Sequence, residues 1–312
     1  MSQTPRVVCI GIATIDAIVS VDRLPGSDER VPVHDGRIAG GGVAATAAVA
    51  LSRLGIPTAF IGRAGDDDAG RWIRDGLAAE GVDIAGFGLG RGRSAIGVVL
   101  IEAASGLRAL APFVGDRGPI ELSDRDLAAC AAADWIHLDD LGIATLPALI
   151  GAGIRTPISL DDGIGVDDVV IDAIELYAPT ERVLRARFPA PDLAGSLASA
   201  VAAGPRLAVA TLGDAGSIAA ERTSDGRIRH HDRVPAFAVS VESTLGAGDA
   251  FHGGLLAALV DGHPTPDALI RANAVAALSC RALDGRSGLP DRAELEAFLE
   301  GSGPRLPGDS AT

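Results

Sequence analysis

A carboxylate set just behind a glycine turn can take a proton beside a bound anion. Residues 243–254 read Ser-Thr-Leu-Gly-Ala-Gly-Asp-Ala-Phe-His-Gly-Gly. Gly246-Ala247-Gly248 carries almost no side chain, so a ligand can approach its backbone. The first N–H groups of a helix that starts here lack intrahelical acceptors and carry partial positive charge. Such a turn binds phosphate and stabilises the negative charge that develops while a phosphoryl group moves. Asp249 then reads in two ways, as an acid favoured at a helix start or as a general base beside that group. The flanking glycines favour the base. No Gly-Lys-Ser/Thr follows, and the spacing is not the dinucleotide fingerprint.

The elements that must hold this turn are legible on both sides. Phe237, Val239 and Val241 alternate, which predicts a strand before it, and the apolar run 255–260 predicts a buried helix after it. Earlier, Arg6 to Ile12 is a short apolar run of the kind found in buried parallel strands. Asp16 follows its carboxyl end, where open α/β sheets bind ligands, although a turn aspartate would look the same. Gly40-Gly41-Gly42 opens a helix running to Leu54, either to let backbone close on a ligand or simply to pack tightly. Asp66-Asp67-Asp68 lacks the alternating spacing of a calcium loop and reads as a turn and helix cap. Strands at 135–139 and 157–160 end in Asp139-Asp140 and Asp161-Asp162, acids at successive strand ends that suggest one crevice, with Mg²⁺ and hydroxyl ligands among the candidates. His137, inside an apolar run, reads as a core histidine. A late strand, 207–211, leads into Leu-Gly-Asp-Ala-Gly. Residues 19–38 and 94–113 look like hairpins around small turns, unlike the alternating strands and helices elsewhere.

Composition limits the function. With 312 residues, 47% of them hydrophobic and 40 of them glycine, the chain can bury a large turn-rich α/β core. A net charge of −14 argues against nucleic-acid and anionic-membrane partners. Cys9, Cys130 and Cys280 lie far apart in apolar surroundings and read as buried thiols of a reducing compartment. No run has the length of a membrane span, so a cytoplasmic protein is expected.

Residues 243–249 resemble the carboxy-terminal signature of the ribokinase-like (PfkB) carbohydrate kinases, Asp-Thr-x-Gly-Ala-Gly-Asp, with Ser243 in place of the first Asp. Residues 39–46 resemble the amino-terminal signature of the same family, with Thr46 where an Asn often stands. The resemblance covers nearly the whole chain. It implies a three-layer α/β/α sandwich over 1–300, with a central mostly parallel sheet and a small β lid from about 17–40 and 92–115. It also implies a homodimer formed through that lid, and the Gly, Pro and Ser-rich stretch 301–312 is expected to be a flexible tail. Asp249 becomes the base, and Gly246, Ala247 and Gly248 the anion hole. Asp16, Gly41, Gly42, Thr46, Arg108 and Asp139 fall on the sugar side. Thr211, Gly213, Gly216, Thr244, Asn273 and Ala277 fall on the nucleotide side.

ATP and Mg²⁺ are implied as co-substrate and metal, with Glu181 reaching the metal through water. Only half of the family's Asn-x-x-Glu motif is present, because Ala178 occupies the Asn position. Backbone near Gly285-Arg286-Ser287-Gly288 holds a monovalent cation in the family, but Ser243 lacks the carboxylate that helps, so a potassium requirement is not carried over. Gly-Arg-Ser-Gly-Leu-Pro-Asp and Phe-His-Gly look most like the sulfofructose kinase branch, and Trp-Ile-His resembles ketohexokinase. Leu141 stands where that first branch should place its sulfonate-binding Arg, which leaves Arg108 and Arg63 as substitutes and a neutral ketose equally open. A nucleoside kinase of the same fold, or a sugar sensor without catalysis, are the rival classes.

Overall fold

The structure, a computed structural model, describes residues 4–116, 118–165 and 170–301. Nearly all of the expected tail, 302–312, therefore lies outside the described residues. In chain order the first half contains β1 (Val7–Ile10), β2 (Thr14–Val21), β3 (Val33–Gly41), α1 (Val43–Arg53), β4 (Thr58–Gly65), α2 (Asp68–Ala79), β5 (Asp83–Gly90), β6 (Ile96–Glu102), β7 (Arg108–Phe113), α3 (Asp124–Ala132) and β8 (Trp135–Leu138). The second half adds α4 (Leu146–Gly151), β9 (Ile158–Asp162), β10 (Leu176–Pro179), α5 (Glu181–Arg187), α6 (Leu193–Ala202), β11 (Leu207–Thr211), β12 (Ser217–Arg222), β13 (Ile228–His230), α7 (Ala247–Val260), α8 (Thr265–Ser279) and α9 (Arg292–Gly301).

Nine strands form the main sheet in the order β13-β12-β11-β10-β9-β8-β1-β4-β5. It is parallel from β11 through β5, and β12 and β13 run antiparallel at one edge. Successive side chains of a strand point to opposite faces. Val7 and Cys9 of β1 therefore join α1, α7 and α8 in one core, while Val8 and Ile10 join α3, α4 and α6 in the other. Both faces are covered, which is why β1 is apolar at every position. The three cysteines are free and buried, as their surroundings indicated.

The two glycine-led helices are held together by small residues. A Cβ on Gly253 of α7 would lie 2.6 Å from Ala50 Cβ and 2.8 Å from the Ala47 carbonyl oxygen of α1. The Ala-rich face of α1 thus brings the starts of α1 and α7 to the same end of the sheet.

The second sheet has the order β3-β2-β6-β7 and joins two antiparallel hairpins through the parallel pair β2–β6. Its first strand begins at Thr14, a little before the expected residue 17, so Asp16 belongs to this sheet and not to a loop after β1. On its inner face Ile18, Val99 and Ile101 pack with Leu283. One expected strand does not form. Residues 235–245 are irregular: Phe237 turns its ring onto Phe298 at 5.2 Å, and the N–H groups of Glu242 and Ser243 donate to the Cys280 carbonyl. Phe237 and Val239 pack on the helical core while Val241 is exposed, and this segment has no strand partner among the described residues.

Candidate active site

Gly246 caps α7 in the left-handed conformation at φ 74°, which strains any residue with a side chain. A Cβ there would also come within 2.8 Å of Gly285 Cα, so the turn and the loop after α8 meet backbone to backbone. Ser243 is fully buried, and its Oγ accepts from the Leu245 N–H at 3.0 Å, bracing the turn from inside. The N–H groups that begin α7 are thereby held in place, that of Ala247 donating at 3.4 Å to the Thr244 carbonyl. Asp249 sits in the first turn, part-exposed. Burial of its carboxyl, then the charge of Asp161, push its pKa well above the ordinary carboxylate value, while Arg108 pulls it down. Arg108, from the edge of the small sheet, also donates from Nη1 to Thr244 Oγ1 at 2.9 Å. Two expected site residues from distant parts of the chain thus meet at the turn.

Asp16, Gly41 and Thr46 converge in a second group. Asp16 is 8% exposed and accepts from Thr14 Oγ1 at 2.7 Å. A Cβ on Gly41 would lie 2.0 Å from Asp16 Oδ2, so this carboxylate rests against bare backbone. Sequence reasoning missed the residue that organises this group, Arg286. Its buried guanidinium donates from Nη2 to the Gly41 carbonyl at 2.7 Å and from Nε to Thr46 Oγ1 at 3.3 Å. Burial lowers its pKa to about 10, and the first of the groups that resist this is Asp16. Asp284 aims the loop, taking the Arg286 N–H at 2.8 Å and Arg37 Nη1 at 3.0 Å. An arginine in the Gly285-Arg286-Ser287-Gly288 loop was the local signal; its partners lie about 240 residues away.

Asp139 requires a correction. Its Oδ2 accepts from the N–H groups of Ile12 (2.8 Å) and Ala44 (3.1 Å), and its Oδ1 from those of Leu141 (2.9 Å) and Gly142 (2.8 Å). It is fully buried and ties three chain segments together, which leaves no lone pair free for a sugar hydroxyl. Asn273 donates from its amide to the carbonyls of Val234 (3.0 Å) and Pro235 (3.2 Å), which fixes it against that segment. Gly216 packs on the same segment, where a Cβ would lie 2.0 Å from the Val234 oxygen. Thr211 ends β11, Gly213 opens the short turn after it, and Ala277 lies buried on α8.

The family model for pfkB carbohydrate kinases matches residues 4–292. The chain belongs to the pfkB family of carbohydrate kinases. A fructokinase of Klebsiella pneumoniae is 32% identical, over 86% of this chain and 95% of its own. An ATP-dependent ribose-1-phosphate kinase of Halopiger xanaduensis is 30% identical, over 94% and 98%. Among solved structures, Arabidopsis thaliana ribokinase complexed with ribose and ATP superimposes with a TM-score of 0.79 at 26% identity, covering 96% of this chain and 99% of that one. The three-layer reading and the kinase reading both hold.

Within this pfkB kinase the acids beside the turn decide where a hard dication fits. Glu181 opens α5 and accepts from Arg185 Nε at 2.7 Å, and Ala178 is sealed in the sheet. Asp140 is different. Burial, then Asp139, Asp161 and Asp162, raise its pKa to about 6. A carboxylate pressed by like charges gains most from a cation bound by oxygen, so its surroundings fit Mg²⁺.

Proposed function

We propose that this kinase transfers the γ-phosphoryl group of ATP to a primary hydroxyl of a ketose or related sugar. The observation that carries this reading is Asp249, held beside the donor N–H groups at the start of α7. Asp249, as carboxylate, accepts the proton of the sugar hydroxyl while that oxygen bonds to the γ-phosphorus and the bond to ADP breaks. The N–H groups of Gly246 to Gly248 stabilise charge spread over the transferring oxygens. Asp16 accepts from sugar hydroxyls, and Arg286 holds Gly41 and Thr46 in place under them. Asp140, and Glu181 through water, would hold Mg²⁺ with ATP, which would supply charge neutralisation on the phosphates. Thr211, Gly213, Gly216 and Ala277 form the nucleotide side.

The experiment is ADP release with Mg·ATP across fructose, ribose, sulfofructose, ribose 1-phosphate and a nucleoside. Fructose is the expected strong acceptor, in keeping with the fructokinase relative. A single strong response to an acceptor carrying phosphate or sulfonate would instead favour an anion-reading site, for which Arg108 at the turn is the specific feature. Nucleotide binding without turnover on any acceptor would overturn the kinase reading in favour of a sensor.

The outer face of the small sheet supports the homodimer. Ile38, Ile96 and Val98 lie on one face by register and are 58, 40 and 45% exposed. Such a patch marks an association surface. The expected result is a dimer in light scattering for the natural sequence and a folded monomer for Val98→Asp; a natural chain that is monomeric at assay concentration defeats it.

A further inference from the structure

Beneath the catalytic turn lies a polar cluster that phosphoryl transfer does not use. His137 is in the middle of β8 and fully buried. Its register partner on β1 is Cys9, so it points to the face covered by α1 and α7. Its Nδ1 lies 2.8 Å from Ser159 Oγ on β9, whereas its Nε2 is buried with no hydrogen-bond partner. His252, one turn after Asp249 on α7, is 3% exposed, and its Nε2 lies 3.2 Å from Asp161 Oδ2. The two imidazole rings are 5.7 Å apart between centroids. One ligating atom from each of His137, Asp161 and His252 falls within 4.8 Å of the others.

We propose that His137, Asp161 and His252 form a binding site for a borderline divalent transition metal such as Zn²⁺ or Co²⁺, separate from the Mg²⁺ that accompanies ATP. An unpaired buried imidazole nitrogen is costly to leave bare, and a metal ion is one of the few partners that satisfies it. Burial, then His252, lower the pKa of His137 to about 3, so its ring is neutral and has a lone pair to give. With Nδ1 donating to Ser159, that lone pair is on Nε2; a metal-bound histidine commonly has its other ring N–H held by an oxygen in this way. Two imidazoles and one carboxylate suit Zn²⁺ or Co²⁺; Mg²⁺ prefers an all-oxygen shell. Bonds of about 2.0–2.1 Å to a tetrahedral centre bring ligand atoms to roughly 3.3 Å apart. His252 and Asp161 already meet that spacing, so only His137 must close in. The ion takes the place of the ring proton on His252 Nε2, and that proton moves to Nδ1 of the same ring. Water completes the shell. The metal would then cross-link β8, β9 and α7.

The test is titration of chelator-treated, full-length protein with Co²⁺ in excess Mg²⁺. The expected result is one equivalent bound with the visible absorption of a low-coordinate cobalt site, displaced by Zn²⁺, and a rise in melting temperature on loading. His252→Gln and Asp161→Asn should each weaken binding at least tenfold. X-ray absorption of the Zn²⁺-loaded natural protein counts two imidazoles without needing any variant to fold. No stoichiometric Co²⁺ uptake, a zinc shell without two imidazoles, or a spectrum that persists unchanged in folded His252→Gln overturns the site. The last result would place the ion on surface histidines such as His34 and His230.

Discussion

Asp249→Asn is expected to lower turnover by about 10²–10⁴-fold, the range supplied by a positioned general base. The amide keeps the shape of the carboxylate and cannot take the proton, so the sugar KM should change little. Stability should rise, because burial and the charges of Asp161, Asp139 and Asp140 all disfavour an anion at this position. ADP release and a thermal melt read the two effects together. A variant that melts normally and turns over like the natural enzyme removes Asp249 from the mechanism. The sign with pH follows from the same carboxyl. Its folded pKa is raised, so the stabilisation it contributes is present at low pH and fades as pH rises through that value. Activity runs the other way, rising as the base ionises. Arg108→Met removes a group that lowers this pKa and should shift the rising limb of kcat/KM to higher pH.

The other large effect belongs to Arg286. In Arg286→Met the Gly41 carbonyl loses its donor, and an unsatisfied buried acceptor costs about 1–3 kcal/mol. Asp16 loses its positive neighbour at the same time, so its carboxylate becomes harder to keep ionised and holds hydroxyls less well. The expected outcome is a sugar KM raised at least about tenfold, roughly 1.4 kcal/mol, with a smaller change in kcat. Arg286→Lys should recover only part of this, because an ammonium cannot span Gly41 and Thr46 as the planar fork does. Steady-state kinetics with melting curves decide it: lower stability with an unchanged sugar KM would make Arg286 a structural residue alone.

The glycine turn was legible because its features are local. Three consecutive small residues, an acid and an apolar helix are enough to place a tight turn at a helix start with a carboxylate beside it. Arg286 was not, because its meaning depends on Gly41 and Thr46 at the other end of the chain. Asp139 misled for a related reason. An acid at the end of a strand looks like a ligand for substrate until its four N–H donors are placed around it, and these come from three separate segments. The strand expected at 237–241 failed because alternation alone does not supply a partner: Phe237 and Val239 pack on helices, and Val241 is exposed. β5 shows the converse: Asp-Ile-Ala-Gly-Phe-Gly-Leu-Gly has little strand propensity, yet it pairs along β4 at the sheet edge.

The packing of Leu283 against the small sheet sets an order of events during synthesis. Both hairpins are complete once residue 113 has left the ribosome, but Ile18, Val99 and Ile101 gain their full cover only when Leu245 and then Leu283 follow. Through that interval the nascent chain presents an apolar sheet face to solvent, the kind of surface on which chaperones act and aggregates begin. The same late segment delivers Gly285 to the back of the anion turn and Arg286 to the floor beside Asp16. A chain interrupted before it would hold both glycine signatures and still lack either finished half of the site, so translation that stops early yields no partly active kinase.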